Sequence, residues 1–255
     1  MKKSFGFTLS EVLIVVAIIG VIAALTIPNI VSKFQNEAQV TQIRKIAYEF
    51  EQAAENVTVA QGKTSFAYTD IFVNSNANSL LAELSTTGFN CGDNGENCFA
   101  SSYKSIKGTT TAFSCAGDSK QLESSASVCV VFHQAVVNNS SLGGFAAIKV
   151  IPGGGGGSII EPITPGDDSI TPLLKRVPAY IEVYVDTNGP KSGPNTGGRD
   201  MFQFFILSDG TISGEAPKSV TETIMPIDEY ASCKASALGI NCYKLLEADN
   251  WKMNY

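Results

Sequence analysis

Residues 7–28 read FTLSEVLIVVAIIGVIAALTIP. Glu11 is the one charge in this run, and residues 12–32 carry none. From 12 to 25 the side chains are nearly all Val, Ile, Leu and Ala. A helix needs about 20 predominantly apolar residues to cross a bilayer. Residues 7–27 meet that need, with Glu11 tolerated near one end. Lys2 and Lys3 precede the run, so the positive-inside bias places the amino terminus in the cytoplasm and everything after Ser32 outside.

An ordinary secretory signal has a basic start, a short apolar stretch and a small-residue cleavage site behind it. Here the apolar run is too long, an acid interrupts its beginning, and no such site follows before Pro28. The hexapeptide MKKSFG at 1–6 instead reads as a complete leader placed ahead of the apolar segment. Glu11 carries the physical interest. An acid inside an apolar helix costs on the order of 3 kcal/mol at the bilayer centre and less near an end, so it calls for a partner. The alternative is a Glu11 that sits at the headgroup level with no specific partner.

Gly6-Phe7-Thr8-Leu9-Ser10-Glu11, followed by the apolar run to Pro28, resembles the class III signal of type IV pilins and type II secretion pseudopilins. The resemblance implies cleavage between Gly6 and Phe7 by a prepilin peptidase on the cytoplasmic face, with N-methylation of Phe7. It also implies that Glu11 meets the free amino terminus of Phe7 in a neighbouring subunit. Ser10 departs mildly, since that position is more often aliphatic in the family. Loss of the leader removes two lysines, so the net charge falls from −6 to −8 (−6 − 2). The fold implied is α+β and pilin-like: a long amino-terminal helix, membrane-spanning in its first half, packed against an antiparallel sheet with disulfide-bearing loops. The partners implied are the peptidase, the inner membrane and other pilin or pseudopilin subunits. The chain's size points to a minor subunit. The rival class is a single-pass anchored extracytoplasmic binding protein that only borrows the segment.

Beyond Pro28 the apolar pattern becomes periodic. Ile43, Ile46, Ala47, Phe50, Ala53, Ala54 and Val57 recur at helical spacing between charged positions, which predicts that the helix leaves the membrane and continues to about residue 60. Pro28, and less so Gly20, should bend or locally unwind it. The expected organisation is a leader at 1–6, a membrane and assembly helix at 7–32, an amphipathic continuation at 33–60 and an exported domain at 61–255.

Within that domain, 128–132 and 145–151 are short apolar runs, and 180–186 alternates, with Ile181, Val183 and Val185 on one face and Glu182 on the other. Residues 201–207 are apolar and aromatic, and Asp209-Gly210 after them is a hairpin signal leading into a return strand at Thr211-Ile212. The stretch 152–172, with five consecutive glycines at 153–157, reads as a flexible surface loop. It lacks the Gly-Lys-Ser/Thr ending of a phosphate-binding loop, and Pro162 and Pro165 oppose a helix start.

All six cysteines lie beyond residue 90 and none sits in CxxC spacing, which suits disulfides in an oxidising compartment better than zinc or thiol redox chemistry. Neighbour pairing is expected (Cys91 with Cys98, Cys115 with Cys129, Cys233 with Cys242), because short loops bring the sulfurs together easily. Other connectivities, and free thiols, stay open. A net charge of −6 argues against binding nucleic acid through its phosphates.

Asp186, Asn188, Asn195 and Asp200 fall within one Gly/Pro-rich segment and offer several hard oxygen ligands, for which calcium is the natural candidate. The spacing is not that of an EF-hand, and the alternative is a set of ordinary turn residues. Catalysis finds little support. His133 is the only histidine and ends an apolar strand, where a structural imidazole is expected, and no G-x-S-x-G element occurs. Tyr243, Trp251 and Tyr255 are expected to pack on the sheet.

Overall fold

The computed structural model describes residues 8–74, 77–133, 136–139, 144–147, 151–153, 157–159, 174–177, 179–190, 192–217 and 228–255. The chain divides into two units, Met1–Ala38 and Gln39–Tyr255. One helix, α1, runs from Leu9 to Ala60 and supplies elements of both. Helical structure continues through Gly20 and Pro28, so neither residue unwinds it locally. The Thr26 hydroxyl donates to the Ile22 carbonyl within this stretch.

In the second unit, α2 (Asp70–Asn74) and α3 (Asn78–Ala82) follow the long helix. The strands are β1 (Ser102–Lys104), β2 (Thr110–Ala112), β3 (Asp118–Gln121), β4 (Ser127–His133), β5 (Val136–Asn139), β6 (Gly144–Ala147), β7 (Ile151–Gly153), β8 (Gly157–Ile159), β9 (Leu174–Val177), β10 (Tyr180–Asp186), β11 (Met201–Ile206) and β12 (Ile212–Ser213). Two short helices, α4 (Glu229–Ala235) and α5 (Cys242–Ala248), close the chain.

The central sheet is antiparallel, in the order β12-β11-β10-β4-β3. Its inner face meets the amphipathic part of α1. Every residue of the predicted helical stripe is buried, joined by Val40, and so are Ile181, Val183 and Val185 of β10. Phe50 meets Phe204 edge to face, with ring centroids 5.7 Å apart. Full burial of side chains of this size contributes ~1.5–3 kcal/mol each, so this helix-on-sheet contact is a large part of what holds the unit together.

All of β11 is buried, which one covered face cannot explain. A second layer, carrying the disulfides Cys91–Cys98 and Cys115–Cys129, covers the outer face. There Cys98, Phe99, Tyr103 and Cys115 pack with Cys129 and Met201. The third disulfide, Cys233–Cys242, joins α4 to α5. All three neighbour pairings are thus formed. Gly198, at φ +76°, lies so close to this last bridge that a Cβ there would come within 2.7 Å of the Cys242 sulfur. The hairpin after β11 turns at Gly210, whose φ of +91° suits glycine.

Of the run 145–151, residues 145–147 lie in β6 and Ile151 opens β7, while 148–150 lie outside the described residues. One expectation is corrected: 152–172 is not loop at its described positions, since β7 pairs with β8 with Ile151 opposite Ile159 and Gly153 opposite Gly157. Strand pairing is made by backbone N–H and C=O groups, which glycine carries as any residue does, so a glycine run does not by itself exclude it. The rest of that stretch, including Pro162 and Pro165, lies outside the described residues. Antiparallel pairing also joins β5 to β6 and to β9.

Candidate functional site

Gly6 and Phe7 lie outside the described residues. Glu11 stands in the first turn of α1, and its environment is specific. The Thr8 backbone N–H and the Thr8 hydroxyl each donate to the Glu11 carboxylate over 2.8 Å, and the Glu11 N–H donates back to the Thr8 hydroxyl over 3.3 Å. This is a reciprocal capping box, in which residues three apart satisfy the amide hydrogens that a helix start leaves unpaired. Thr8 was not singled out from the sequence, although the pattern Thr-x-x-Glu ahead of an apolar run is visible there. Behind it, apolar side chains are exposed all round the helix, from Leu9 at 80% through Ile18 and Ile22 to Phe34 at 66%. A helix apolar on every side needs lipid or other helices around it, and this one is long and apolar enough to cross a membrane.

The second cluster lies between β10 and β11. The structure brings Asp186 and Asp200 together, both fully buried. One Asp186 oxygen accepts the N–H groups of Asn188 and Gly189, at 3.2 and 2.8 Å, and the other accepts the Tyr103 hydroxyl at 2.6 Å. Asp200 accepts the N–H groups of Asn195 and Thr196, each at 2.6 Å. Burial raises the Asp186 carboxyl to about 6, with the Tyr103 bond working against this and the nearby Asp200 charge adding to it. Burial likewise raises Asp200, against hydrogen bonds from Thr196, Asn195 and Asn188. The Asn188 and Asn195 side-chain oxygens are enclosed without a hydrogen-bond partner. So is the hydroxyl of Ser127, opposite Asp186 across the β4–β10 ladder. Ser127 and Tyr103 could not be picked out from sequence, because only strand register and the second layer place them here.

The remaining candidates pack against their neighbours. His133 lies 2.7 Å from the Glu182 carboxylate and stacks on Tyr180, with ring centroids 4.6 Å apart. Glu182 also accepts hydrogen bonds from Tyr184 and Gln203. Burial works to raise its carboxyl, but these three donors outweigh it and hold Glu182 below its ordinary range. Tyr243 packs between Phe204 and Trp251, and the Arg44 guanidinium sits 5.2 Å above the Trp251 ring.

Residues 1–27 match the family model described as the prokaryotic N-terminal methylation motif, the processing signal of type IV pilins and pseudopilins. No curated protein and no solved structure matches the chain.

Proposed function

We propose that the chain is the precursor of a filament subunit, not an enzyme: cleaved after Gly6, methylated at Phe7, held in the inner membrane by its apolar helix, and assembled through that helix with other pilin or pseudopilin subunits. One observation carries the reading. A processing signal over residues 1–27 sits directly on a helix whose apolar side chains are exposed all round, with a lone acid in its first turn. Lipid satisfies such a helix before assembly, and copies of it do so afterwards. The acid is what lipid alone does not satisfy, and a neighbour's amino-terminal ammonium, freed by cleavage, is the complementary charge.

The polymer is a type IV pilus or a type II secretion pseudopilus, and the chain's length favours a minor place in it. The helix supplies association, and the exported domain supplies the surface that selects partners. Peptide mass mapping of the native protein tests this. The expected mature terminus is N-methylated Phe7, on protein that co-sediments with filaments. A mature protein that keeps residues 1–6 and sediments with no polymer is instead an anchored extracytoplasmic binding protein.

A further inference from the structure

Arg44, Tyr48 and Glu51 follow one another at helical spacing and so share a face of α1. Tyr243 and Glu247, one turn apart on α5, and Trp251 beyond it line the same cavity, which the hairpin after β11 completes. Its volume is about 350 Å³. Ligand pockets span roughly 300–1,000 Å³ and combine aromatic walls with a few polar groups, and this one falls at the small end of that range.

Tyr243 is the residue that packing does not explain. It is 3% exposed, with its ring against Phe204 and Trp251, yet its hydroxyl makes no hydrogen bond among the described residues and meets Glu247, Glu51 and Arg44 only through their charge. A buried tyrosine ordinarily pairs its hydroxyl. Phenylalanine would fill the same space without an idle oxygen. Burial, with the Glu247 and Glu51 charges adding to it, raises this hydroxyl, so it stays a neutral O–H that can donate and accept. The wall beside it is strained. Asn250 and Trp251 have φ of +52° and +58°, a left-handed conformation that bulky side chains rarely adopt, and such strain gathers at ligand clamps. The Arg44 guanidinium lies 5.2 Å above the Trp251 ring. Tyr48 is 58% exposed, and the Gln52 amide donates to its hydroxyl over 2.9 Å, which steadies the ring.

The charges narrow the ligand. A simple cation is opposed by Arg44, and a simple anion by Glu51 and Glu247. A neutral molecule that donates to the carboxylates, accepts from the guanidinium, pairs with the Tyr243 hydroxyl and lays an apolar face on Tyr48 satisfies every group at once. Pyranose sugars have this construction, with hydroxyls round the rim and C–H groups across the face. We propose that the cavity between α1 and α5 is a saccharide site for one neutral pyranose ring, stacked on Tyr48, bonded at its hydroxyls by Arg44, Glu51 and Glu247, and read at its deepest hydroxyl by Tyr243. The exported domain thereby has a ligand of its own, apart from any contact between subunits.

Trp251 is the only tryptophan in the sequence and lines the cavity, so its emission reports occupancy. The full chain, in micelles of a detergent without a sugar headgroup, is titrated into the tens of millimolar with glucose, galactose, mannose and N-acetylglucosamine. A saturable change in tryptophan emission is expected with at least one of them, and none with methylammonium, acetate or glycine. Tyr243→Phe keeps the packed ring and removes only the idle hydroxyl. It should leave the melting midpoint unchanged and weaken that sugar by about three- to tenfold. Tyr48→Ala, at an exposed position, should weaken it at least as much. Emission that no hexose alters overturns the site, as does a response to the charged probes without one to sugars. Sugar affinity unchanged in either variant places the effect outside this cavity and overturns it equally. A chain that binds a hexose but never enters a filament leaves the site standing.

Discussion

Glu11→Gln separates the two things Glu11 can do. In the single chain its carboxylate accepts two bonds from Thr8. Glutamine at the third helical position completes a capping box as well as glutamate does, so the substitution keeps the cap and removes the charge. Losing the cap entirely costs about 0.5–2 kcal/mol, which a helix of 52 residues anchored by its apolar side chains survives. Losing the charge is a different matter. A carboxylate within an apolar helix bundle is worth about 3 kcal/mol when a cation meets it, on the scale of the cost of placing it there alone. With tenfold per 1.4 kcal/mol, that is on the order of 100-fold in subunit association. The assay compares the variant with wild type for the mature amino-terminal peptide, the melting of the exported domain, and the fraction of chain in sheared filaments. Processing and melting should be unchanged and incorporation should fall by about 100-fold. A Glu11→Gln chain that enters filaments as wild type does refutes the charge-pairing argument and leaves Glu11 a helix cap. Thr8→Val supplies the converse, losing the cap hydroxyl while keeping the charge, and should incorporate within a few-fold of wild type.

Replacing Cys115 and Cys129 together by Ser opens a loop with a sequence separation of 14, which by loop-closure entropy should lower the stability of the exported domain by about 3 kcal/mol in denaturant titration; an unchanged midpoint would show that the second layer holds to β4 without the bridge. The Glu182 carboxyl is held below its ordinary value of 4.5 in the folded chain, so the folded state binds fewer protons there than the unfolded state does. Its contribution is therefore complete above 4.5 and is lost as the pH falls through the lower folded value. Acid unfolding followed by fluorescence should move to higher pH in Glu182→Gln relative to its own neutral-pH stability only if this sign is wrong, and to lower pH if it is right.

The elements that could be read from sequence were those whose burial repeats with the backbone's own period. The stripe from Ile43 to Val57 and the alternation at Ile181, Val183 and Val185 each have one face on the same core, and periodicity reports that directly. The strand at Met201–Ile206 was recognisable as apolar, but the reason for its two-sided burial was not, because its outer cover comes from the distant segment around Cys98 and Tyr103. Thr110–Ala112 is exposed along its whole length and so carries no pattern that a sequence could show. The neighbour disulfides were accessible because short loops need no knowledge of the fold to close.

The candidate sites divide along the same line, and the division has a physical cause. Glu11 and Thr8 act within one helical turn, so their relation is written in a spacing of three. Asp186, Asn188, Asn195 and Asp200 belong to one connecting segment, and their oxygen chemistry was apparent, but clustered turn residues usually satisfy their own backbone. Strand register alone places Ser127 opposite Asp186, and the second layer alone brings the Tyr103 hydroxyl to the same carboxylate, so neither neighbour is written in the segment itself.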